Sequence, residues 1–226
     1  LLDTDCDENN LEDRSVTHHL YGGDNENRLK QELVLGIGGM RVLEAMQIKP
    51  DLYHSNEGHS AFISLERMRK LIVEHHLTFA QAIEVVRSST LFTTHTPVPA
   101  GHDAFDEDLL RKYISHYHSR LNISWSELMA LGQCESDNDR KFNMSYLATR
   151  MSQEVNGVSK LHGKVSRGMF NKLWPGYLKE EIFIGHVTNG VHHPTWTAPE
   201  WREIYREITG NTDFDQTDRS LWEKLY

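Results

Sequence analysis

Two polar phrases combine ligand-binding residue types with positions at the ends of strand-like runs. Asn56-Glu57-Gly58-His59 follows a short apolar run and opens a helical pattern, and Thr94-His95-Thr96-Pro97 follows another such run. A third phrase, Thr188-Asn189-Gly190, repeats the arrangement. In open α/β sheets, ligands bind at the carboxyl ends of the strands. The three phrases therefore predict an enzyme whose polar groups gather around a cleft.

The corner around His59 offers three kinds of binding group. Glu57 supplies a carboxylate, His59 supplies an imidazole, and the start of the following helix supplies free backbone N–H groups, all able to bind sugar hydroxyls or anions. The alternative is structural: Asn56 and Glu57 cap the helix while His59 packs in the core. His95 leaves the same choice open, and the prolines that follow it favour a functional role.

Several common catalytic patterns are missing from the sequence. Many of the 14 histidines stand in adjacent pairs or two positions apart, spacings that do not place two imidazoles on one helix face, and there is no His-Glu-x-x-His. The single Gly-x-Gly, 36–38, lies inside a helical pattern, and no Gly-x-Ser-x-Gly occurs. No metal site, dinucleotide fingerprint or activated serine is predicted. The sequence also offers no recognisable pair of carboxylates that would flank a glycosidic bond, so a glycosidase is a weaker hypothesis.

Composition narrows the class of protein further. A length of 226 residues allows one large domain or two small ones, and we predict one, 1–226. The formal net charge of −9 includes no basic stripe, so nucleic acid is not an expected partner. No apolar run reaches the roughly 20 residues that span a bilayer, so no membrane is expected. The distant pair Cys6 and Cys134 favours a reducing cytoplasm over a disulfide framework.

The two ends of the chain suggest a piece of a larger protein. The chain opens on Leu1-Leu2-Asp3 without an initiator Met or a leader, and it closes on the amphipathic run 220–226 without a stop signal. We interpret the sequence as an excised or incomplete segment.

Hydrophobic periodicity divides the chain into helices that alternate with strands, which predicts an α/β fold with a mostly parallel sheet. The predicted strands are 51–55, 90–93, 154–159 (a strand or a turn) and 181–187. The predicted helices are 27–46, 60–75, 82–87, 106–121, 124–131, 142–151, 161–173 and 196–208. Residues 3–24 and 133–141 are predicted to be irregular loops. Three glycines inside the first helix indicate close packing against a neighbouring element or a ligand.

Seven phrases of the chain occur in one characteristic order. They are Leu1-Leu2-Asp3-Thr4-Asp5, Leu20-Tyr21-Gly22-Gly23-Asp24, Arg28-Leu29-Lys30-Gln31-Glu32, Asn56-Glu57-Gly58-His59, Thr94-His95-Thr96-Pro97-Val98-Pro99-Ala100-Gly101-His102, Val155-Asn156-Gly157-Val158-Ser159-x-Leu161-His162 and Thr188-Asn189-Gly190-Val191. In this order the chain resembles the alpha-glucan (glycogen, starch or maltodextrin) phosphorylases, in particular their bacterial branch. The resemblance covers essentially the whole chain.

This resemblance implies a Rossmann-like part of the N-terminal domain of a two-domain GT-B glycosyltransferase fold, with the active site between the two halves. The implied reaction transfers the terminal α-1,4-linked glucosyl unit of a glucan to inorganic phosphate, giving glucose 1-phosphate, in a cytoplasmic enzyme that forms a homodimer at full length. Pyridoxal phosphate would be held by a lysine of the C-terminal domain, and no segment here resembles that lysine motif. The chain alone is therefore expected to bind no cofactor and to be inactive. A non-catalytic carbohydrate-binding module on the same scaffold is the alternative.

The resemblance also implies roles near the entrance of the catalytic site. Gly22, Gly23 and Asp24 match a mobile loop at that entrance, and Arg28 matches the arginine that follows the loop.

Further matches concern the wall that contacts the glucan. Glu57 and His59 match the acidic residue and the histidine beside the glucosyl site. Gln153 falls where many members carry a histidine whose main-chain carbonyl meets the sugar. Asn156 and Asn189 match later segments of the cleft. With His95 and Arg28, these residues are the expected substrate contacts, and none of them is expected to take a direct chemical role.

Overall fold

Short apolar runs bounded by turn residues form the strands of two small sheets. The computed structural model describes residues 1–98, 101–210 and 219–223, with only the backbone of Leu221, so Pro99, Ala100 and the last three residues of the C-terminal run lie outside it. In the described part the strands are β1 (Tyr53–Asn56), β2 (Thr90–Thr94), β3 (Ala104–Phe105), β4 (Phe142–Asn143), β5 (Glu154–Gly157) and β6 (Ile184–His186). Strands β1, β2, β5 and β6 form a parallel sheet in that order, and β3 pairs with β4 antiparallel.

Helices connect and cover these strands. The α-helices are α1 (Leu11–Arg14), α2 (Asn25–Leu33), α3 (Gly39–Ala45), α4 (Ile63–His75), α5 (Phe79–Ser88), α6 (Glu107–Ile114), α7 (Tyr117–Arg120), α8 (Trp125–Ala130), α9 (Met144–Arg150), α10 (Lys160–Phe170), α11 (His193–Trp196), α12 (Pro199–Thr209) and α13 (Arg219–Glu223). Parallel strands joined by helices confirm the predicted α/β class with a mostly parallel sheet.

The predicted helix over 27–46 is continuous but changes its hydrogen bonding in the middle. Between α2 and α3 the segment Val34–Gly38 forms a π-helical turn. Gly36 lies against the start of α4, where a Cβ atom on it would stand 2.8 Å from the Ile63 nitrogen and 2.8 Å from the Phe62 Cβ. The glycines inside this helix were predicted to allow close packing, and the contact at Gly36 confirms it.

Other predicted boundaries differ from the structure. The single helix expected over 106–121 is divided into α6 and α7 at Ser115 and His116. The loop expected over 3–24 contains α1, because the Asn10 side chain accepts a hydrogen bond from the Asp13 N–H and caps a helical turn. The last strand was expected over 181–187 but spans three residues, since the stretch before it forms a 3₁₀ turn, Lys179–Glu181.

The core lies under the parallel sheet and between its covering helices. Its largest fully buried side chains are aromatic, and Phe62 of the α4 entry stacks on Phe142 of β4 with ring centroids 6.3 Å apart. Strand β2 is buried along nearly its whole length, as expected for an inner strand of a parallel sheet that is covered on both faces. Each buried aromatic side chain contributes about 1.5–3 kcal/mol, so this packing fixes where the strand ends lie.

The described chain forms two compact units, 1–188 and 189–226. The first contains both sheets and the helices α1 to α10. The second contains α11, α12 and α13, and its helix α12 ends at Gly210 in the left-handed conformation (φ 70°) that favours glycine. That 1–226 is a single partial domain stays a prediction. No helix in the described ranges combines the length and apolar character that crossing a bilayer requires.

The contact between Gly36 and α4 generates a stability prediction. We expect Gly36→Ala to lower the free energy of unfolding by about 1–3 kcal/mol, because the added methyl group forces a shift of backbone at the start of α4. In the matched control Gly168→Ala, within α10, the new methyl group meets no atom within 4 Å, and helix propensity should raise stability by about 0.5–1 kcal/mol. Urea unfolding monitored by circular dichroism measures both changes. Equal effects at the two glycines would contradict the close approach at Gly36.

Candidate functional site

The carboxyl ends of three neighbouring strands meet at one edge of the parallel sheet. Asn56 of β1 pairs in register with Thr93 of β2, and Thr93 pairs with Asn156 of β5. The Thr93 hydroxyl donates to Asn156 Oδ1 over 2.9 Å, and His54 Nε2 lies 2.8 Å from the same hydroxyl. Asn156, which is buried, therefore belongs to a polar row that crosses the sheet at the level of the predicted cleft.

Glu57 ties the segment after β1 to the segment after β2. Its backbone adopts the left-handed conformation (φ 62°), and its N–H donates to Thr93 O over 2.9 Å. Its carboxylate oxygen Oε1 accepts hydrogen bonds from the His95 N–H and from the Thr96 hydroxyl (3.0 Å). A non-glycine residue in such a conformation costs on the order of 1–3 kcal/mol and persists where its surroundings hold it. Glu57 thus places the exposed His95 at the same edge as His59.

His59 lies in a cluster of four charged side chains, Arg28, Glu32, His59 and Asp103, which we name the His59 cluster. Arg28 Nη2 lies 2.8 Å from Asp103 Oδ2 and 3.1 Å from Glu32 Oε1. His59 Nδ1 lies 3.1 Å from the same Asp103 oxygen and 3.8 Å from Glu32 Oε1. The four residues come from α2, the turn after β1 and the loop before β3, so the cluster joins segments that are distant in sequence.

Protonation in the His59 cluster follows from these contacts. The hydrogen bond to Asp103, assisted by Glu32, raises the pKa of His59 to about 9, although burial opposes the shift. Burial raises the pKa of Glu32 to about 7, against the lowering effect of its contact with His59. Burial acts to raise the pKa of Asp103 as well, but hydrogen bonds from His59 and Arg28 hold that pKa well below its usual range. Near neutral pH, His59 is therefore an imidazolium between ionised Asp103 and a partly protonated Glu32.

The contact between Arg28 and His59 depends on this protonation. Arg28 Nη2 lies 3.1 Å from His59 Nδ1, and a guanidinium can only donate, so the two form a hydrogen bond only when Nδ1 carries no proton. In the imidazolium, Nδ1–H donates to Asp103 instead, and the carboxylate then accepts from both cations. In both of these protonation states Nε2 carries a proton. His59 therefore offers a hydrogen-bond donor at Nε2.

A cavity of about 350 Å³ opens beside the His59 cluster and is lined by Tyr21, Arg28, Glu32 and His59 among others. The Tyr21 ring lies 5.2 Å from the His59 ring, and its centroid lies 5.0 Å from the Arg28 guanidinium carbon. The His59 side chain is 24% exposed, whereas the Glu32 side chain is 1% exposed. The arrangement presents aliphatic side chains, one aromatic face and two cationic donors to this space.

The predicted entrance loop lies at the start of α2. Asp24 caps this helix by accepting from the Asn27 N–H over 2.9 Å, and the Asn27 side chain donates to Gly22 O over 2.8 Å. Gly23 has φ 86°, and a Cβ atom on it would stand 2.7 Å from the Asn27 Cβ. The turn therefore requires glycine, and it fixes where α2 begins and hence where Arg28 lies.

One predicted site residue lies elsewhere. Gln153 precedes β5, and its N–H donates to Arg87 O (3.0 Å) and Thr90 O (3.1 Å), at the amino ends of β2 and β5. Because the strands are parallel, this is the edge of the sheet opposite to His59, so the structure does not bring Gln153 to the cleft. At the cleft edge it is the His95 backbone that lies beside Glu57. Asn189 is exposed and begins the second compact unit.

Sequence reasoning missed Glu32 and Asp103. The spacing of four residues between Arg28 and Glu32 is a signal for contact on one helix face and could have identified Glu32. No local pattern links Asp103 to His59, which lies 44 positions earlier, because their meeting depends on the tertiary path of the loop after β2.

Glu32, His59 and Asp103 are also the one group among the described residues whose ligand atoms could hold a metal ion, lying within 4.8 Å of one another. No metal site was predicted from the sequence. In this geometry the Arg28 guanidinium already donates to both carboxylates, so the positive charge that a metal would supply comes from arginine.

Comparisons with known proteins agree with these observations. A family model described as "Carbohydrate phosphorylase" matches residues 47–221. A glycogen phosphorylase of Mycobacterium tuberculosis is 45% identical over 100% of this chain and 27% of its own length. A maltodextrin phosphorylase of Thermococcus litoralis is 42% identical over 98% of this chain and 26% of its own, and a glycogen phosphorylase of Aquifex aeolicus is 36% identical over 100% and 32%. The chain thus spans about a quarter to a third of the length of these curated relatives.

The His59 cluster predicts an unusual titration. We expect the His59 imidazole to titrate near pH 9 in an NMR pH series, because Asp103 and Glu32 stabilise its charged form. Asp103→Asn should move this pKa down towards the ordinary value of about 6.5, whereas the control Asp106→Asn should leave it unchanged.

The same shift has a consequence for stability. The folded-state pKa of His59 is raised, so its contribution is fully present below about pH 6.5 and is lost as pH rises through about 9. Urea unfolding of the wild type across this window should show a fall that Asp103→Asn reduces. A His59 pKa near 6.5 in both proteins would rule out the charged cluster.

Proposed function

The chain belongs to the carbohydrate phosphorylase family, and on that premise we propose that it supplies the sugar-binding wall of an alpha-glucan phosphorylase. In the complete enzyme the terminal α-1,4-linked glucosyl unit of glycogen, starch or maltodextrin would pass to inorganic phosphate, with release of glucose 1-phosphate. The observation that carries the proposal is the His59 cluster beside its cavity, at the carboxyl edge of the sheet where Glu57 also holds His95. The names of these relatives, glycogen phosphorylase and maltodextrin phosphorylase, support an alpha-glucan as the substrate class.

The charge of the cluster limits what this wall can do. Transfer of a glucosyl unit builds positive, oxocarbenium-like charge on the sugar, which an imidazolium and a guanidinium would not stabilise directly. These cations instead suit electronegative partners. We therefore assign His59 Nε2–H and the Arg28 guanidinium to donating hydrogen bonds to sugar hydroxyls or phosphate oxygens, so that they orient the reactants.

The remaining site residues take different roles in this proposal. Glu57 positions the turn that carries His95, and Asn156 extends the polar row of the sheet. The loop Gly22–Asp24 is proposed to border the entrance. Asn189 stays a proposed cleft residue on the family resemblance alone. For a sugar contact by Gln153 the geometry offers no support, since this residue lies at the opposite edge.

Three lysines of the chain do not fit pyridoxal phosphate, the cofactor that the family uses. A lysine that forms a Schiff base needs a lowered pKa in a desolvated pocket or beside another cation. Hydrogen bonds to carboxylates instead raise the pKa of Lys30, Lys70 and Lys112. We propose that the cofactor of the complete enzyme is held outside this chain.

We prefer the hypothesis of an enzyme over that of a non-catalytic carbohydrate-binding module. The curated relatives are named as phosphorylases, and no observation favours a carbohydrate-binding module that has lost catalysis. A cytoplasmic location and a homodimer of the full-length protein complete the proposal.

His59 can be tested in the complete enzyme. We expect His59→Ala to lower kcat/KM for glucan about 10- to 100-fold, the loss expected for one charge-assisted hydrogen bond of about 1.5–3 kcal/mol. The melting temperature should also fall, because the imidazolium is a partner of Asp103 and of the buried Glu32, so turnover is compared per folded molecule. The control His75→Ala removes an exposed imidazole at the end of α4 and should change neither quantity. A large fall in melting temperature with unchanged turnover per folded molecule would show that His59 is structural.

The chain alone is expected to be inactive. Incubation of the purified 226-residue chain with pyridoxal phosphate, followed by borohydride reduction, should yield no stoichiometric lysine adduct, and glycogen with phosphate should yield no glucose 1-phosphate. The physical reason is that both walls of a cleft are needed to position its reactants. Stoichiometric labelling of one lysine together with phosphorolysis would place the catalytic machinery inside this chain.

A further inference from the structure

A cavity of about 580 Å³ lies at the edge of the sheet opposite to the His59 cluster, where β2 and β5 begin. We name it the amino-edge pocket. Its polar lining comes from Arg87 at the end of α5, from Thr149 and Arg150 at the end of α9, and from 152–154 at the start of β5, namely Ser152, Gln153 and Glu154. Its volume lies within the range of about 300–1,000 Å³ that small-molecule sites occupy. The proposed glucan site uses none of these residues.

Two guanidinium groups reach this pocket without a strong anionic partner. Arg150 Nη1 donates to the carbonyl oxygens of Ala130 (2.8 Å) and Leu131 (2.9 Å), and no carboxylate in the described part of the chain lies within ion-pair distance of it. Burial lowers the pKa of Arg150, as expected for a desolvated cation that lacks an anion. Among the described residues, Arg87 forms one ion pair, with the exposed Glu84 carboxylate at 3.4 Å, and its Nε is buried without a hydrogen-bond partner.

Two hydroxyl groups and one aromatic side chain complete the setting. Thr149 and Ser152 are 3% and 5% exposed, and within the described ranges neither Thr149 Oγ1 nor Ser152 Oγ has a hydrogen-bond partner. Buried hydroxyl groups normally have partners, so the two are unusual. The half-buried Trp174 forms part of the wall. Glu154 is the one carboxylate among the lining residues and is exposed, so the two arginines outweigh it in charge.

From these contacts we infer that the amino-edge pocket binds a phosphate group, either as free inorganic phosphate or as a small phosphate monoester. Guanidinium groups bind phosphate oxygens through paired hydrogen bonds. The organic part of a monoester would rest against Trp174. Binding would compensate the charge of Arg150 and would add a second anionic partner to Arg87, which meets Glu84. It does not depend on the proposed phosphorolysis.

Calorimetric titration of the full 226-residue chain tests this inference with three probes: inorganic phosphate, glucose 6-phosphate and glucose. We expect a phosphate-containing probe to bind with a Kd of about 0.1–1 mM and to weaken as ionic strength rises, while glucose does not bind. A monoester that binds more tightly than inorganic phosphate identifies the esterified source, and the reverse order identifies the free ion.

Variants then locate the binding. Arg87→Gln should weaken it about tenfold or more, and the control Arg120→Gln, an exposed arginine on α7, should leave it unchanged. Arg150→Met also removes both bonds to the end of α8, so Arg87→Gln is the primary variant. Equal affinity of wild type and Arg87→Gln for both phosphate probes, or binding of glucose as tight as that of glucose 6-phosphate, would overturn the inference.

Discussion

One carboxylate oxygen, Asp103 Oδ2, holds together the part of the molecule on which the proposed function depends. It accepts from Arg28 of α2 and from His59 after β1, and it belongs to the loop that follows β2. Charges that are removed from water are tolerated only when they are paired and hydrogen-bonded. The nearly buried Glu32 can therefore be placed here only because the two cations are placed here too. The position of His59 is a property of the whole cluster.

Much of the fold follows from local sequence signals. Thr78 with Gln81, and Ser124 with Glu127, have the spacing of a capping box in the sequence, and both pairs form complete capping boxes. The alternation of strand-like and helical patterns gave the α/β class because period and turn chemistry act over a few residues. The break between α6 and α7 at His116 was not predicted. The apolar pattern continues across it, and where a helix bends is decided by packing.

The candidate site was predictable in part, for a related reason. Glu57, His59 and His95 follow strands directly, and parallel topology alone brings such residues to one edge. Asp103 lies several residues beyond β2, at the far end of a loop whose path the pattern does not specify. Gln153 shows a second reason why the prediction was incomplete. It stands next to a family-like phrase, but that phrase runs along β5 from one edge of the sheet to the other, so Gln153 and Asn156 lie at opposite edges.

The π-helical turn at Val34–Gly38 changes the direction in which the residues after it point around the helix axis. One extra residue in a turn rotates everything that follows by about 100° relative to a regular α-helix. Arg28 and Glu32 precede the turn and face the His59 cluster, whereas Arg41 follows it and places its Nε 3.0 Å from Glu66 Oε1 on α4. The residues before the turn therefore belong to the His59 cluster, and those after it contact α4. In evolutionary terms, gain or loss of one residue within this turn would uncouple the charged site from the packing of α4, although every side chain involved remained in the sequence.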